Sequence, residues 1–341
     1  MQNLNIYILA IESSCDDTSC AVLHNNRVLS NVTANQKIHE QYGGVVPELA
    51  SRDHQKNIVP VVEAALKNAG IAMNQLNAIA VTRGPGLMGS LLVGLSFAKS
   101  LSLALSIPII EVNHMKGHIL AHFIDDGEVQ KTPEFPFLCL TASGGHTQLI
   151  KVTGYLDFEM VGETIDDAVG EAFDKAAKIM GIPYPGGPLI DKYAGSGDKS
   201  KFTFAYTRAP GYNYSFSGIK TSFLYFIQNH VQKDKNFVAD NLCDICASYQ
   251  DHLIKVLLKN VRHVLKDTGM NQLAIAGGVS ANSELRRQVK ALEHELGIET
   301  FIPKFEYCTD NAAMIGITAY YKFLNNEFAD LSITPMARMP I

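Results

Sequence analysis

Phe137-Leu138-Cys139-Leu140-Thr141-Ala142-Ser143-Gly144-Gly145-His146-Thr147-Gln148-Leu149-Ile150-Lys151-Val152 sets a short polar, glycine-containing step between two apolar runs. Phe137 to Thr141 predicts a buried strand, Ser143-Gly144-Gly145 a turn, and Thr147 to Val152 the returning strand. The same pattern opens the chain. Ile6 to Ser13 reads as a strand, Asp16-Asp17-Thr18 as a turn and Ser19 to His24 as the strand coming back. One such opening in each half indicates a duplicated unit. The Asp125-Asp126-Gly127 turn and Thr132-Pro133-Glu134-Phe135-Pro136 supply the break, which ends the first lobe at residue 130 and starts the second at 131. Helical periodicity follows each opening, over Gln55 to Ala69 and Gly89 to Leu105 in the first half and over Thr164 to Met180 and Cys243 to Lys266 in the second. Strands at Ala78 to Val81 and Gln272 to Ala276 alternate with the helices, so the class is α/β.

A chain of 341 residues is too long for one small core and suits two domains or lobes. Apolar residues at 47% and charged residues at 18% place it among globular proteins rather than disordered ones. Ile6 to Ile11 runs into Glu12 with no preceding Lys or Arg, unlike the charged start of a signal peptide. Leu87 to Ile110 is broken by Lys99, several serines and Pro108, which predicts buried helix and strand rather than a membrane span. Six cysteines without an export signal predict reduced thiols and a cytoplasmic location, with no membrane association.

A net charge of −5 argues against a protein that coats nucleic acid. One stretch departs from that balance. Lys199, Lys201, Arg208 and Lys220 stand against Asp198 alone, interleaved with Phe202, Phe204, Tyr206, Tyr212, Tyr214 and Phe216. Such a mixture suits either a backbone groove with stacking platforms for unpaired bases or an ordinary solvated loop.

His114 and His118 are spaced i and i+4, so on a helix they share a face and two imidazole nitrogens can share one ion. A zinc peptidase of the His-Glu-x-x-His kind needs a glutamate after the first histidine as general base, and this chain has Met115. The pair therefore reads as a site that holds or polarises a substrate, or as two histidines hydrogen-bonded at a domain surface.

Three turns after strands invite a phosphate: Glu12-Ser13-Ser14-Cys15-Asp16-Asp17-Thr18, Ala142-Ser143-Gly144-Gly145-His146-Thr147, and Ala276-Gly277-Gly278-Val279-Ser280-Ala281-Asn282. Small residues let main-chain N–H groups approach an anion closely, although tight hairpins use the same residues. Three in one chain favour a nucleotide between two lobes. Asp167, Glu171 and Asp174 lie at i, i+4 and i+7 of the predicted 164–180 helix, a face that accepts ribose hydroxyls or a cation, or is simply solvated. Tyr184-Pro185-Gly186-Gly187-Pro188 reads as neither helix nor strand and suits a fixed lid over a ligand, with Asp191 following. Cys243 and Cys246 form a C-x-x-C with no second pair, expected to face a helix core rather than bind zinc.

Taken in order, Ile11-Glu12-Ser13-Ser14-Cys15-Asp16-Asp17-Thr18, His114-Met115-Lys116-Gly117-His118, Ser143-Gly144-Gly145-His146-Thr147, Glu171-Ala172-Phe173-Asp174-Lys175, Tyr184-Pro185-Gly186-Gly187-Pro188, Phe216-Ser217-Gly218-Ile219-Lys220-Thr221, Ala276-Gly277-Gly278-Val279-Ser280-Ala281-Asn282 and Cys308-Thr309-Asp310-Asn311-Ala312-Ala313-Met314 resemble the family of tRNA adenosine threonylcarbamoyltransferases along the full length. The resemblance implies a duplicated two-lobe fold of the actin, Hsp70 and sugar-kinase kind with a nucleotide cleft, residues 308–341 packing back on the N-terminal lobe and 131–307 forming the C-terminal lobe. It implies one divalent metal, Fe(2+) foremost and Zn(2+) second, held by His114, His118 and Asp310. It places Thr141, Ala142, Ser143, Gly144 and Gly145 at the adenylate or its acyl phosphate, Asp174 and Asp191 near the ribose, and Gly187 and Asn282 on the base side. The implied reaction carries threonylcarbamoyl from threonylcarbamoyl-AMP to an adenosine of the tRNA anticodon loop. The implied partners are a shorter paralogue that forms a heterodimer and a small ATPase. Two rival readings stand beside it: an ATP-dependent kinase or ATPase of the same fold, and a non-catalytic, nucleotide-regulated scaffold. Peptidase activity is the third and weakest reading, given Met115.

Overall fold

A computed structural model of the protein describes residues 5–128 and 131–341, so residue 130, the expected lobe boundary, lies outside the described residues. The chain divides into two compact units, one of Met1–Thr132, Gly154–Asp157 and Pro303–Ile341, the other of Pro133–Thr153 and Phe158–Ile302. The first unit runs β1 (Tyr7–Glu12), β2 (Thr18–His24), β3 (Arg27–Ala34), α1 (Pro47–Ala69), β4 (Ala78–Gly84), α2 (Met88–Leu105), β5 (Ile109–Asn113) and α3 (His114–Leu120). The second runs β6 (Phe137–Ala142), β7 (Thr147–Val152), β8 (Phe158–Glu163), α4 (Val169–Ile179), α5 (Gly186–Ala194), α6 (Ser217–Val231), α7 (Phe237–Thr268), β9 (Gln272–Ala276), α8 (Ser283–Leu296) and β10 (Glu299–Phe301). A last helix, α9 (Ala312–Leu324), belongs to the first unit and packs on β1 and β2.

The sheets repeat one topology, β3-β2-β1-β4-β5 and β8-β7-β6-β9-β10, each with two antiparallel pairs followed by two parallel ones. This is the duplication that the two hairpin openings announce. Central strands β1, β4, β6 and β9 are covered on both faces and read as continuous apolar runs, as parallel strands between helices must. Edge strands β3 and β8 escape the sequence reading because they are only partly buried and carry mixed polarity. The α2 helix is long and apolar enough to cross a membrane by length and composition, yet Leu91, Gly94, Leu95 and Ala98 face inward and the helix packs on β4 and α1.

Four expectations are corrected. The helix expected at 164–180 starts only at Val169, because Thr147 Oγ1 accepts from Val169 N–H at 2.9 Å and the Ser143 carbonyl from Gly170 N–H at 3.2 Å, so tertiary partners set its first turn. Asp167 therefore precedes the helix, and the three-carboxylate face does not form: Asp167 pairs with Lys175 and Lys220, Glu171 with Lys175, and Asp174 turns to α5. The segment 184–188, expected as neither helix nor strand, is partly helical. Helix α5 begins inside it at Gly186, and Pro188 is tolerated there because a first helical turn has no intrahelical partner for its N–H groups. The basic and aromatic stretch 198–220 is only in part a free surface: Phe204, Tyr214 and Phe216 are core residues and Lys199, Lys201 and Lys220 are paired with Glu284, Asp244 and Asp167, while Tyr206 is exposed. Finally, α1 and α7 start earlier than expected, at Pro47 and Phe237; in α1 the polar run Ser51-Arg52-Asp53 breaks the apolar periodicity near the start, and in α7 Asp240-Asn241 does.

Candidate functional site

Strand β5 delivers Asn113, whose side-chain oxygen accepts from the N–H groups of Met115 (2.9 Å) and Lys116 (3.2 Å) and so starts α3. His114 is the first residue of that helix and His118 stands one turn later. Asp310 comes from the other end of the sequence, one residue before Asn311, which caps α9 by accepting from Met314 N–H at 3.0 Å. The cap is thus Asn311, and Asp310 is left for another task. His114 Nε2, His118 Nε2 and Asp310 Oδ1 form a triangle with all three sides 3.2 Å. Donor atoms about 2.1 Å from one ion, at angles between octahedral and tetrahedral, stand about 3.0–3.4 Å apart, so the triangle fits one divalent ion with positions left open. Both histidines are buried and Asp310 is partly exposed, so solvent reaches the triangle on the Asp310 side.

Sequence reasoning missed what orients His114. Glu12, fully buried at the end of β1, receives Ser14 N–H at 2.5 Å on Oε1, and on Oε2 the Thr82 hydroxyl and His114 Nδ1 at 3.0 Å. A carboxylate without a proton only accepts, so Nδ1 carries a hydrogen, and Nε2 is the ring atom left to face the triangle, where an ion would displace the second proton that the carboxylates favour. The signal was a glutamate directly after an apolar strand, where a lone buried charge needs a partner. Electrostatics follow the same geometry. Burial opposes the charge on His114, but the Asp310 and Glu12 carboxylates outweigh it and hold the imidazole well above its ordinary pKa. Burial also raises Asp310, yet the two imidazoles hold its carboxyl far below the usual range, while burial pulls His118 down. His118 Nδ1 is buried without a hydrogen-bond partner.

In the second unit, parallel strands β6 and β9 end side by side, with Thr141 opposite Ala276, and the turns that follow lie at the carboxyl ends of the sheet, where α/β proteins place ligands. Thr141 and Ala142 are buried; Gly144 and Gly145 are exposed, and a Cβ on either would meet open space. Ser143 N–H donates to the His146 carbonyl at 2.8 Å, and Ser143 Oγ accepts from His146 N–H at 3.1 Å, which closes the turn. Gly277 approaches it with φ +83°, and a Cβ there would stand 2.6 Å from the Ala142 carbonyl oxygen. Asp174 accepts from the N–H groups of Gly186 (2.9 Å) and Gly187 (3.2 Å), capping α5; burial raises its pKa. Asp191 accepts from Gln250 Nε2 (3.0 Å) and from the Ser283 N–H (3.0 Å) and hydroxyl (2.8 Å). Asn282 donates to Gln250 Oε1 at 2.7 Å and accepts from Leu285 N–H at 3.0 Å as the cap of α8. Gln250 and Ser283, which no motif flagged, thus join Asp191 and Asn282 in one polar network. Of the two cysteines expected to face a helix core, Cys246 is buried and Cys243 is only half-buried.

The profile of the family described as tRNA N6-adenosine threonylcarbamoyltransferase matches residues 27–317, a span that holds both histidines, Asp310 and the glycine turns. The chain belongs to this family. Its threonylcarbamoyltransferase relatives include that of Christiangramia forsetii, 61% identical over 338 residues and 99% of each chain. Those of Porphyromonas gingivalis and Clostridioides difficile are 54% and 44% identical, again over 99% of each chain. Two solved structures share the fold of this threonylcarbamoyltransferase family member. Full-length HypF in its phosphate- and nucleotide-bound form superimposes with a TM-score of 0.62 at 11% identity, over 96% of this chain and 48% of that one. Component A of the Acidaminococcus fermentans (R)-2-hydroxyglutaryl-CoA dehydratase does so with 0.51 at 16% identity, over 93% and 98%. The duplicated α/β architecture is of the actin, Hsp70 and sugar-kinase kind.

Proposed function

We propose that the protein transfers the threonylcarbamoyl group from threonylcarbamoyl-AMP to the exocyclic amine of the adenosine 3′-adjacent to the anticodon in tRNAs reading ANN codons, releasing AMP. The observation that carries this reading is the 61% identity, over 99% of both chains, to a relative named for the tRNA N6-adenosine transfer. The donor is a mixed anhydride. The adenosine nitrogen attacks its carbamoyl carbon, the carbon–oxygen bond to the phosphate breaks, AMP leaves with the electron pair, and the amine gives up one proton. No serine or cysteine nucleophile is needed, and the rate comes from orientation and charge stabilisation.

Main-chain groups of the Thr141–Gly145 turn receive the acyl phosphate, with Gly144 and Gly145 exposed and free of side chains that would keep an anion away. Asp174 and Asp191 shape the ribose surroundings, Asp174 by fixing the first turn of α5 and Asp191 by tying α5 to α8. Gly187 and Asn282 lie toward the base, at the starts of those two helices. His114, His118 and Asp310 hold Fe(2+), or Zn(2+) in its place, which when bound supplies Lewis-acid stabilisation of charge on a substrate oxygen. The unpaired anticodon loop exposes the acceptor amine without melting a duplex. A shorter paralogue as heterodimer partner and a small ATPase complete the machinery in the cytoplasm, and partner surfaces supply tRNA contacts that a chain of net charge −5 lacks.

The test mixes the purified protein with threonylcarbamoyl-AMP, the paralogue, the ATPase and unmodified tRNA, and reads the mass of the adenosine nucleoside. A threonylcarbamoyl mass increase with wild type, lost with His114→Ala, is expected. No increase with wild type overturns the reading; an undiminished increase with His114→Ala removes the ion from the reaction.

A further inference from the structure

The segment after α9 returns along the first unit and ends on the residue that starts the histidine helix. Ala329 N–H donates to the Ile109 carbonyl at 2.9 Å at the beginning of β5. The Ile333 carbonyl accepts from Lys99, and the Thr334 carbonyl from Arg83 Nε at 3.0 Å. Met336 N–H donates to the Arg83 carbonyl at 2.8 Å, and the Ala337 carbonyl accepts from Gly86 N–H at 3.2 Å. The backbone lies so close to β4 that a Cβ on Gly84 would stand 2.0 Å from the Met336 carbonyl oxygen. At its far end the Pro340 carbonyl accepts from Asn113 Nδ2 at 3.0 Å.

That last bond differs from the others in where it acts. Asn113 is buried, and its side-chain oxygen is committed to the N–H groups of the second and third residues of α3, so the amide has its NH₂ group left to donate, and Pro340 accepts one of its two hydrogens. The carbonyl therefore fixes which way the amide faces, and the amide fixes the first turn of the helix on which His114 and His118 stand. Met339 and Pro340, with Asn113, Lys116, Thr318 and Tyr321, line a cavity of about 560 Å³, so on that side the segment borders open space, and Pro340 is exposed.

We propose that residues 333–340 form a positioning strap which, through Pro340 and Asn113, sets the orientation of α3 and thereby the spacing of the two imidazoles. The inference rests on the metal reading of His114, His118 and Asp310 only in its second readout. Two full-length-based variants separate strap from cap. Asn113→Asp keeps a side-chain acceptor for Met115 and Lys116, since aspartate caps as well as asparagine, but turns a carboxylate oxygen toward the Pro340 carbonyl. Truncation after Ala337 leaves Asn113 intact and removes its partner.

Hydrogen exchange is read first, on metal-free protein. Both variants should speed exchange at residues 114–118 about three- to ten-fold, the range one hydrogen bond supports, with wild-type rates in α1 and in the β1 and β4 strands. Co(2+) alone is then titrated into the metal-free proteins. The variants should bind it three- to ten-fold more weakly with an altered visible spectrum, and the double variant no more weakly than the worse single one, because both remove one contact. Unchanged exchange in the truncated protein overturns the strap. Wild-type protein that fails to bind Co(2+) overturns the metal reading instead, and the exchange data still decide the strap.

Discussion

Glu12→Gln changes one oxygen to an NH₂ group and should disable the metal centre through a proton 3 Å away. Oε1 of Glu12 receives Ser14 N–H at 2.5 Å, and a main-chain N–H can only donate, so the glutamine oxygen must take that place. Its NH₂ then occupies the position of Oε2, facing Thr82 Oγ1 and His114 Nδ1. The threonine hydroxyl can turn and accept. Against another donor the hydrogen on His114 Nδ1 loses its carboxylate acceptor and keeps only the Ser14 hydroxyl, at 3.2 Å, so the balance moves toward the tautomer with the proton on Nε2, the atom 3.2 Å from both Asp310 Oδ1 and His118 Nε2. A protonated Nε2 has no lone pair for an ion. Loss of an outer partner of this kind costs about 10- to 100-fold in metal affinity, or about 1.4–2.8 kcal/mol. Co(2+) titration of metal-free protein measures the affinity, and nitrogen NMR of labelled histidine reports which ring atom carries the proton. Wild-type Co(2+) affinity in a folded E12Q protein, with the proton still on Nδ1, would refute the reasoning.

Asp310→Ala and His118→Ala should each abolish stoichiometric Co(2+) binding, read by the same titration, and leave the far-ultraviolet circular dichroism unchanged, because α9 keeps its Asn311 cap and α3 its Asn113 cap. Gly277→Ala forces a side chain into a left-handed backbone and against the Ala142 carbonyl, so thermal unfolding should show a loss of about 2–3 kcal/mol and threonylcarbamoyl-AMP binding should weaken. Asn282→Ala removes the α8 cap and its bond to Gln250, for about 1 kcal/mol in denaturant unfolding. Glu284 is held at about 2 chiefly by hydrogen bonding from Arg287, with Gln288 and Lys199 assisting against burial. Its folded value is depressed, so its contribution is present above about pH 4.5 and lost as pH falls toward 2; the fall in melting temperature across that window should be shallower in Glu284→Gln.

The duplication was legible because each half opens with an apolar strand, a small polar turn and a returning strand, and buried parallel strands announce themselves as continuous apolar runs. Edge strands and helix starts broken by polar runs were not. Strand β3 has a half-wet face, and α1 carries Ser51-Arg52-Asp53 near its start, so neither shows there the periodicity that marks a buried element. Two readings gave way in part where a tertiary partner overrode local composition. Asp174 accepts the Gly186 and Gly187 N–H groups and starts a helix in a segment rich in proline and glycine. Lys199, Lys201 and Lys220 looked like a basic surface only while the acids that face them, distant in sequence, were out of view.

By itself the sequence determined the α/β class, the repeated unit and the pairing of His114 with His118, since a helix repeats every 3.6 residues and an i, i+4 spacing carries its geometry with it. Family kinship, too, is written in the order of its motifs. What only the tertiary structure decided is everything that depends on closure between remote segments: Asp310 beside two rings some 190 residues earlier, Glu12 beneath His114, and Pro340 on Asn113. Those contacts come from strand order and helix packing, and no local pattern encodes which buried carboxylate or carbonyl will meet which donor once the sheets have formed.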